Sequence, residues 1–366
     1  MNKNNFKKFK KLYDENEFDV LLKEVDSVYW LKLRSISRKA LMIDFCEHIG
    51  LDCEGMKSKD LLEYIYNTKP TEKEIDVFID KKYKEERKER LEKETDLVSE
   101  LYKMKVLDWG GLYQNSLERT LVNNYIKKID NFNILNKRIE NEIHLSVKGY
   151  VQSSWFNHWT SILIEDIFKD HKKVIPTVGL IKKVDFFVSN IPFDLKVTYF
   201  PEGYMLAKRK ELGLSSELQT LKNFAKKENI KYNNNQKDKV LYSELYTRIS
   251  ERNDDKSKKF MSDFSETRWN IVEATMKNKK DLIKWLYEEQ GVARFDASNR
   301  LFLILIDKKN MDESWKMKRN IEILNSEVDT YLDGFNPKKI DDLEIEFGWQ
   351  DGKTYNTHSD ALFVIK

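Results

Sequence analysis

The stretch VDFFVSNIPFDLKVT, residues 184–198, decides how the rest of the chain is interpreted. Two apolar runs, 184–188 and 193–198, flank the turn-forming letters SNIP. β-Branched and aromatic residues on both sides of such a turn predict a β-hairpin. Three charged residues are set into these runs: Asp185, Asp194 and Lys196. Charged groups are costly to bury unless they are paired or bind a metal, so the hairpin is the first candidate for a functional site.

Strand geometry predicts that these three charges share one surface. Side chains two positions apart on a strand point to the same face, so Asp194 and Lys196 are expected together. Asp185 can face them from the neighbouring strand. Two carboxylates and an ammonium suit Mg²⁺, which activates water beside a phosphodiester. The alternative is an ion pair between Asp185 and Lys196 in a sheet that carries no chemistry.

The order of these three residues resembles the motif of the PD-(D/E)xK nuclease superfamily, which includes many type II restriction endonucleases. Asp185 matches the first acid of that motif, Asp194 the second acid and Lys196 the lysine. The chain departs from the pattern in two ways. Val184 stands where many members have proline, and only nine positions separate Asp185 from Asp194. A separation this short requires a tight hairpin.

Residues 153–171, upstream of the hairpin, have the apolar periodicity of a helix with one wide buried stripe. The letters VIPTVG follow, and then the hairpin, which gives the order helix, strand, strand, strand. Members of the superfamily share this order, and many carry a glutamate on the first helix that joins the metal site. Glu165 is the residue that matches this role. The alternative is a solvated helix carboxylate.

Downstream, RLFLILID at residues 300–307 is a continuous apolar run, as expected of a strand that is covered on both faces. Helices are predicted over 278–290 and 313–331, and strands over 343–349 and 361–365. The predicted fold class is α/β, with a helical N-terminal region followed by a restriction-endonuclease-like mixed β-sheet core flanked by helices.

Residues 1–145 are predicted to be a helical region that serves in DNA binding or dimerisation. Residues 73–104 are dense in opposite charges three and four positions apart, which is typical of a long exposed helix. Residues 40–66 resemble the SAP-type helix–turn–helix DNA-binding module, and Ser58 is expected to cap its second helix. The residues that carry this resemblance are Gly50, Leu51, Gly55, Lys57 and Leu61. It implies phosphate contacts for Lys57 and Lys59, and a generic helical hairpin is the alternative.

Residues 146–366 are predicted to form the catalytic domain, with insertions near 229–259. The polar stretches 229–239 and 251–259 are predicted to be loops. Arg294 and Arg300 precede the buried strand at 300–307 and are candidates for DNA contact. Pairing with nearby acids is the alternative for both arginines.

The composition agrees with a globular protein and excludes several classes. The chain has 366 residues, of which 40% are hydrophobic and 35% charged, and its net charge is only +3. A nucleic-acid site would therefore depend on local clustering of charge. No apolar run has the length of a membrane span, and Cys46 and Cys53 lack metal-ligand spacing, so a cytoplasmic protein is expected. P-loop, GxSxG and HExxH motifs are absent.

The resemblance implies a Mg²⁺-dependent endonuclease, most simply a type II restriction enzyme that cuts double-stranded DNA at a specific sequence as a homodimer. Asp185, Asp194, Glu165 and the backbone carbonyl of Leu195 would hold the metal, and Lys196 would assist the attacking water. A cognate methyltransferase would be a separate protein. The alternatives are a repair or phage-defence nuclease of the same fold and a non-catalytic DNA-binding protein.

Overall fold

The computed structural model describes residues 3–107, 121–179, 181–289, 297–349 and 351–366. The chain divides into two compact units. The first unit comprises Met1–Val197 and Asp312–Lys339, and the second comprises Thr198–Met311 and Ile340–Lys366. Neither unit begins at the predicted domain boundary at residue 145.

Helices make up most of the described chain. The α-helices are α1 (Lys3–Asp14), α2 (Phe18–Leu21), α3 (Ser27–Ser35), α4 (Lys39–His48), α5 (Ser58–Thr68), α6 (Glu72–Tyr102), α7 (Phe132–Arg138), α8 (His144–Lys169), α9 (Glu202–Glu211), α10 (Glu217–Lys227), α11 (Asp238–Ser250), α12 (Asp255–Lys277), α13 (Lys279–Glu289) and α14 (Ile321–Gly334). Two π-helical turns, Val122–Ile126 and Ile139–Ile143, and two 3₁₀ segments, Met311–Arg319 and Pro337–Leu343, complete the helical elements.

The strands pair in both directions, so the predicted mixed α/β class is confirmed. They are β1 (Val174–Pro176), β2 (Phe186–Val188), β3 (Ile191–Tyr199), β4 (Arg300–Ile306), β5 (Glu344–Gly348), β6 (Thr354–His358) and β7 (Asp360–Ile365). β1, β2 and β3 are successive antiparallel neighbours. β4 pairs in parallel with β7, and β5 and β6 form an antiparallel hairpin.

The β2–β3 hairpin is confirmed, but its turn is shorter than the SNIP letters predicted. Only Ser189 and Asn190 connect the strands, and both have positive φ angles, 50° and 66°. A two-residue hairpin turn requires this left-handed conformation, because its twist then matches that of the strands. Ile191 and Pro192 already belong to β3, where Pro192 lies opposite Phe187.

The N-terminal helices and the hairpin region contribute to a common hydrophobic cluster in the first unit. Trp30, Phe45 and Phe78 from the helices and Val184 and Phe187 from the hairpin region belong to the same buried cluster. The described helices of residues 3–83 thus share buried contacts with the hairpin region. The role that the sequence predicts for residues 1–145, in DNA binding or dimerisation, stays a prediction.

In the second unit, β4 is the most buried strand. All seven of its residues are buried, as its continuous apolar sequence predicted. Its register with β7 runs from Leu301 opposite Asp360 to Ile306 opposite Ile365. Helix α13 packs against β4 and β5, because Tyr287 meets Phe302 of β4 edge-on at 5.8 Å and stacks on Phe347 of β5 at 4.4 Å between ring centroids.

Three sequence predictions of local structure were wrong, each because of a cap. Ser58 is the first residue of α5 and not its cap, since Lys57 holds the extended cap conformation. The predicted loop at 251–259 is shorter, because the Asp254 side chain accepts the Ser257 N–H at 2.9 Å and starts α12 at Asp255. The predicted helix at 313–331 is split, because Asn320 caps a new helix after the 3₁₀ segment. Strand β6 was not predicted.

Two further predictions can be compared with the described residues. In that part of the chain, no helix has both the length and the apolar character needed to cross a membrane. Cys46 and Cys53 are both free thiols.

A buried ionic network joins α8 to the long helix α6. Asp166, which is 3% exposed, accepts hydrogen bonds from Arg90 Nε and Nη2, both at 2.8 Å. Arg87 Nε donates to Asp170 Oδ2 at 2.9 Å, and the Tyr83 hydroxyl donates to Asp170 Oδ1 at 2.6 Å. Because α8 also carries Glu165, this network sets the position of the helix that contributes to the candidate site.

We expect Asp166→Ala to lower the free energy of unfolding by about 3–5 kcal/mol, because it leaves buried arginine charge without its partner. Urea unfolding measures this change. The control is Asp80→Ala on α6, which removes a carboxylate that pairs with Lys84 and is 46% exposed. The control substitution should lower the free energy of unfolding by no more than about 1 kcal/mol. Equal losses in the two variants would contradict a structural role for the network.

Candidate functional site

Asp185 is held at the start of β2 by contacts with its neighbours. Its N–H donates to the Phe193 carbonyl oxygen at 2.8 Å, and its own carbonyl accepts from the Thr177 hydroxyl at 2.7 Å. The Asp185 carboxylate accepts the Leu195 N–H at 2.7 Å. The side chain is therefore oriented across the hairpin toward the middle of β3.

Asp194 and Lys196 lie on β3 beside Asp185. Phe186 pairs with Phe193, so the register brings Asp185 alongside Asp194. Asp194 and Lys196 alternate with Leu195 and so project from the same face of the strand. All three charged residues are half-buried. The structure thus brings together the three residues that the sequence motif singled out.

Glu165 approaches this group from α8. Its carboxylate pairs with Lys169 at 3.0 Å, one turn further along the helix. Glu165 is close enough to raise the pKa of Asp185, and Lys169 is close enough to lower it. Glu165, the candidate metal ligand from α8, is thus half-buried and within electrostatic range of the hairpin.

Asp185 is the most perturbed carboxylate of the group. Burial, and then the charges of Glu165 and Asp194, raise its pKa from 3.8 to about 7. The Leu195 N–H and Lys169 oppose this shift but do not outweigh it. Groups with such shifts concentrate at functional sites, because repulsion between like charges is retained there.

The sequence did not single out Lys318, which the structure places near Lys196. Lys318 is 7% exposed, and its Nζ donates to Asn157 Oδ1 on α8 at 2.7 Å. Burial, and then the charge of Lys196, lowers the pKa of Lys318 to about 8. The letters WKMKR around it predict only an amphipathic turn, so no sequence signal separates Lys318 from Lys316.

The carboxylate and carbonyl oxygens at this site are the type of ligand that a hard divalent cation such as Mg²⁺ prefers. Within the described ranges, no three His, Cys, Asp or Glu side chains are arranged as a metal-binding group by themselves. The donors that suit a cation are the carboxylates of Asp185 and Asp194 and the Leu195 carbonyl, with Glu165 on α8 within electrostatic range of Asp185. Crowding of carboxylates around Asp185 is relieved when a cation binds, which is the physical ground for this fit.

The predicted DNA-contacting residues belong to both units: Lys57 and Lys59 to the first, and Arg300 to the second. Lys57 and Lys59 are exposed at the start of α5. Arg300 is 5% exposed and lies against the Tyr287 ring, with its guanidinium 3.4 Å from Ser298 Oγ. Arg294 lies outside the described residues. Contacts of these residues with DNA stay predictions.

Comparison of the chain with protein-family models, with curated proteins and with solved structures finds no match. The functional argument therefore rests on the residues and geometry of the site itself.

We expect the stability of the metal-free protein to fall as pH rises because of Asp185. The folded protein keeps the Asp185 proton up to about pH 7, whereas an unfolded chain releases it near 3.8. The folded state thus binds more protons in this window, and its advantage is lost as pH rises through it. Asp185→Asn removes this dependence, and its amide oxygen can still accept the Leu195 N–H.

The melting temperature of Asp185→Asn, relative to the original protein, should therefore increase between about pH 4 and about pH 8. The exposed carboxylate variant Asp329→Asn on α14 is the control, and its difference should stay constant. Parallel profiles for both variants would contradict the buried, crowded state of Asp185.

Proposed function

We propose that this protein is a Mg²⁺-dependent endonuclease that hydrolyses phosphodiester bonds of double-stranded DNA. The observation that carries the proposal is the convergence of Asp185, Asp194, Lys196 and Glu165 from two strands and one helix. Two carboxylates aligned across a tight hairpin, with a lysine two residues along, provide the metal-binding and charge-neutralising groups that this reaction needs.

Each residue has a role that follows from its position. Asp185 and Asp194, with the Leu195 carbonyl, would hold the cation, and Glu165 would complete the site from α8. The Leu195 N–H keeps the Asp185 carboxylate turned toward β3. When bound, Mg²⁺ supplies positive charge for a phosphate oxygen and lowers the pKa of water. Lys196 would orient the attacking water and offset negative charge that develops on the phosphodiester.

The finer assignment is a type II restriction endonuclease that acts as a cytoplasmic homodimer, each subunit cutting one strand. A cognate methyltransferase would then be a separate protein. A repair or phage-defence nuclease would use the same residues, and the products of cleavage distinguish these cases. A non-catalytic DNA-binding protein is the alternative from another class, and it would need neither the metal nor the four residues.

We expect the protein to cleave plasmid DNA with Mg²⁺ and to lose this activity with a chelator. Asp194→Asn and Lys196→Met should each reduce the cleavage rate about a hundred-fold or more, because the first weakens binding of the metal and the second removes positive charge that stabilises the transition state. Gel electrophoresis of the plasmid over time measures the rates. Discrete fragments indicate a restriction enzyme, whereas nicking or smearing indicates a repair or degradative nuclease.

The controls remove the same charges elsewhere in the first unit. Lys172→Met changes a lysine whose side chain is 78% exposed, and Asp329→Asn changes an exposed carboxylate. Both should cleave at the original rate. DNA retardation with the two site variants shows that binding survives. The proposed nuclease function would be refuted if Asp194→Asn cleaved DNA at the original rate. It would also be refuted if the unmodified protein cleaved none of many different DNAs.

A further inference from the structure

Lys318 is held in a defined position by the residues on both sides of it. The Trp315 ring packs edge-on against Phe156 of α8, with centroids 5.2 Å apart. Arg319 Nη1 donates to the carbonyl oxygens of Leu101 at 2.8 Å and Met104 at 2.7 Å. The 3₁₀ segment is therefore fixed on α8 and on the end of α6, so Lys318 is not a freely moving surface lysine.

The ammonium of Lys318 is also directed by α8. It donates to Asn157 Oδ1, and the Asn157 amide nitrogen donates to the Ser153 carbonyl at 2.9 Å. This second bond sets the amide so that its oxygen faces Lys318. Asn157 and Glu165 are eight positions apart, so they lie on the same side of α8. Lys318 is thus placed along the helix face that contributes to the candidate site.

Lys318, which is buried, and Lys196, which is half-buried, lie within electrostatic range of each other. Burial and the Lys196 charge both lower the pKa of Lys318, to about 8, so that it is still mainly protonated at neutral pH. Two ammonium groups brought together in a low dielectric repel each other. An anion between or beside them relieves the repulsion, and the phosphodiester of DNA is such an anion.

We propose that Lys318 is a phosphate-binding residue of the candidate site, whose charge acts together with that of Lys196 on the DNA backbone. The inference rests on the proposed nuclease function, in which DNA is the substrate. Asp185, Asp194 and Glu165 supply the negative side of the site, and Lys196 and Lys318 the positive side. Asn157 sets the position of the Lys318 ammonium.

The test measures DNA binding in the Asp194→Asn background, where cleavage does not interfere. Fluorescence anisotropy with a labelled duplex of random sequence gives the binding constant over a series of salt concentrations. Lys318→Met keeps the length and apolar stem of the side chain and removes its charge. Binding should weaken about ten-fold. The slope of log K against log salt should become shallower by about 1, as expected for one lost phosphate contact.

The matched control is Lys316→Met in the same 3₁₀ segment, whose lysine pairs with Glu313 and is half-buried. It removes the same charge and should leave the slope unchanged. Lys318→Arg, which keeps the charge, should retain the original slope. If Lys318→Met does not fold, Lys318→Gln is judged by the same slope. An unchanged slope for the charge-removing variant overturns the inference, whatever happens to affinity, because a structural role alone would not alter the number of ions released.

Failure of this inference is distinguishable from failure of the nuclease. If the unmodified protein cleaves plasmid DNA and the Lys318→Met variant keeps the full salt dependence of DNA binding, the nuclease function is supported and the proposed role of Lys318 is refuted. If the unmodified protein cleaves no DNA but Lys318→Met still makes the slope shallower, the DNA-binding role of Lys318 is supported and the proposed nuclease function is refuted.

Discussion

The register of the β2–β3 hairpin is the constraint on which the candidate site depends. A slip of one residue would turn Asp194 and Lys196 to the opposite face of β3 and separate them from Asp185. Two features prevent it. The two-residue turn at Ser189 and Asn190 allows only one close pairing of the strands. The Leu195 N–H bond to the Asp185 carboxylate then joins the site residues across that pairing.

A buried lysine from the N-terminal helices, Lys32, holds the hairpin turn at Ser189 and Asn190 in place. The Lys32 side chain is fully buried, pairs with Asp76 at 2.7 Å and donates to Asn190 Oδ1 at 2.8 Å. A lysine at this depth is costly unless it is paired, so α3, α6 and the hairpin turn must all be in place for its charge to be satisfied. This explains why the helical region and the hairpin share one core.

Helix α8 carries two neighbouring acids in opposite electrostatic situations. Asp166 points to α6, where Arg87 and Arg90 compensate its charge. Glu165 pairs with Lys169 and lies within electrostatic range of Asp185, whose pKa its charge raises. The first arrangement is what a structural network requires. The second keeps carboxylates close together with only partial compensation by Lys169, an arrangement that favours binding of a cation.

The sequence by itself determined the elements, because their periodicity and apolar runs are local: the hairpin, the buried strand β4, the long helix α6 and the motif residues Asp185, Asp194 and Lys196. It missed the caps at Asp254 and Asn320, where one side-chain hydrogen bond moves a helix end. The resemblance singled out Glu165, but only the tertiary structure decided that Asp166 pairs with α6 and that Lys318 lies within electrostatic range of Lys196. These pairings join residues far apart in the chain. A local sequence pattern does not determine which face of a helix packs against which neighbouring element.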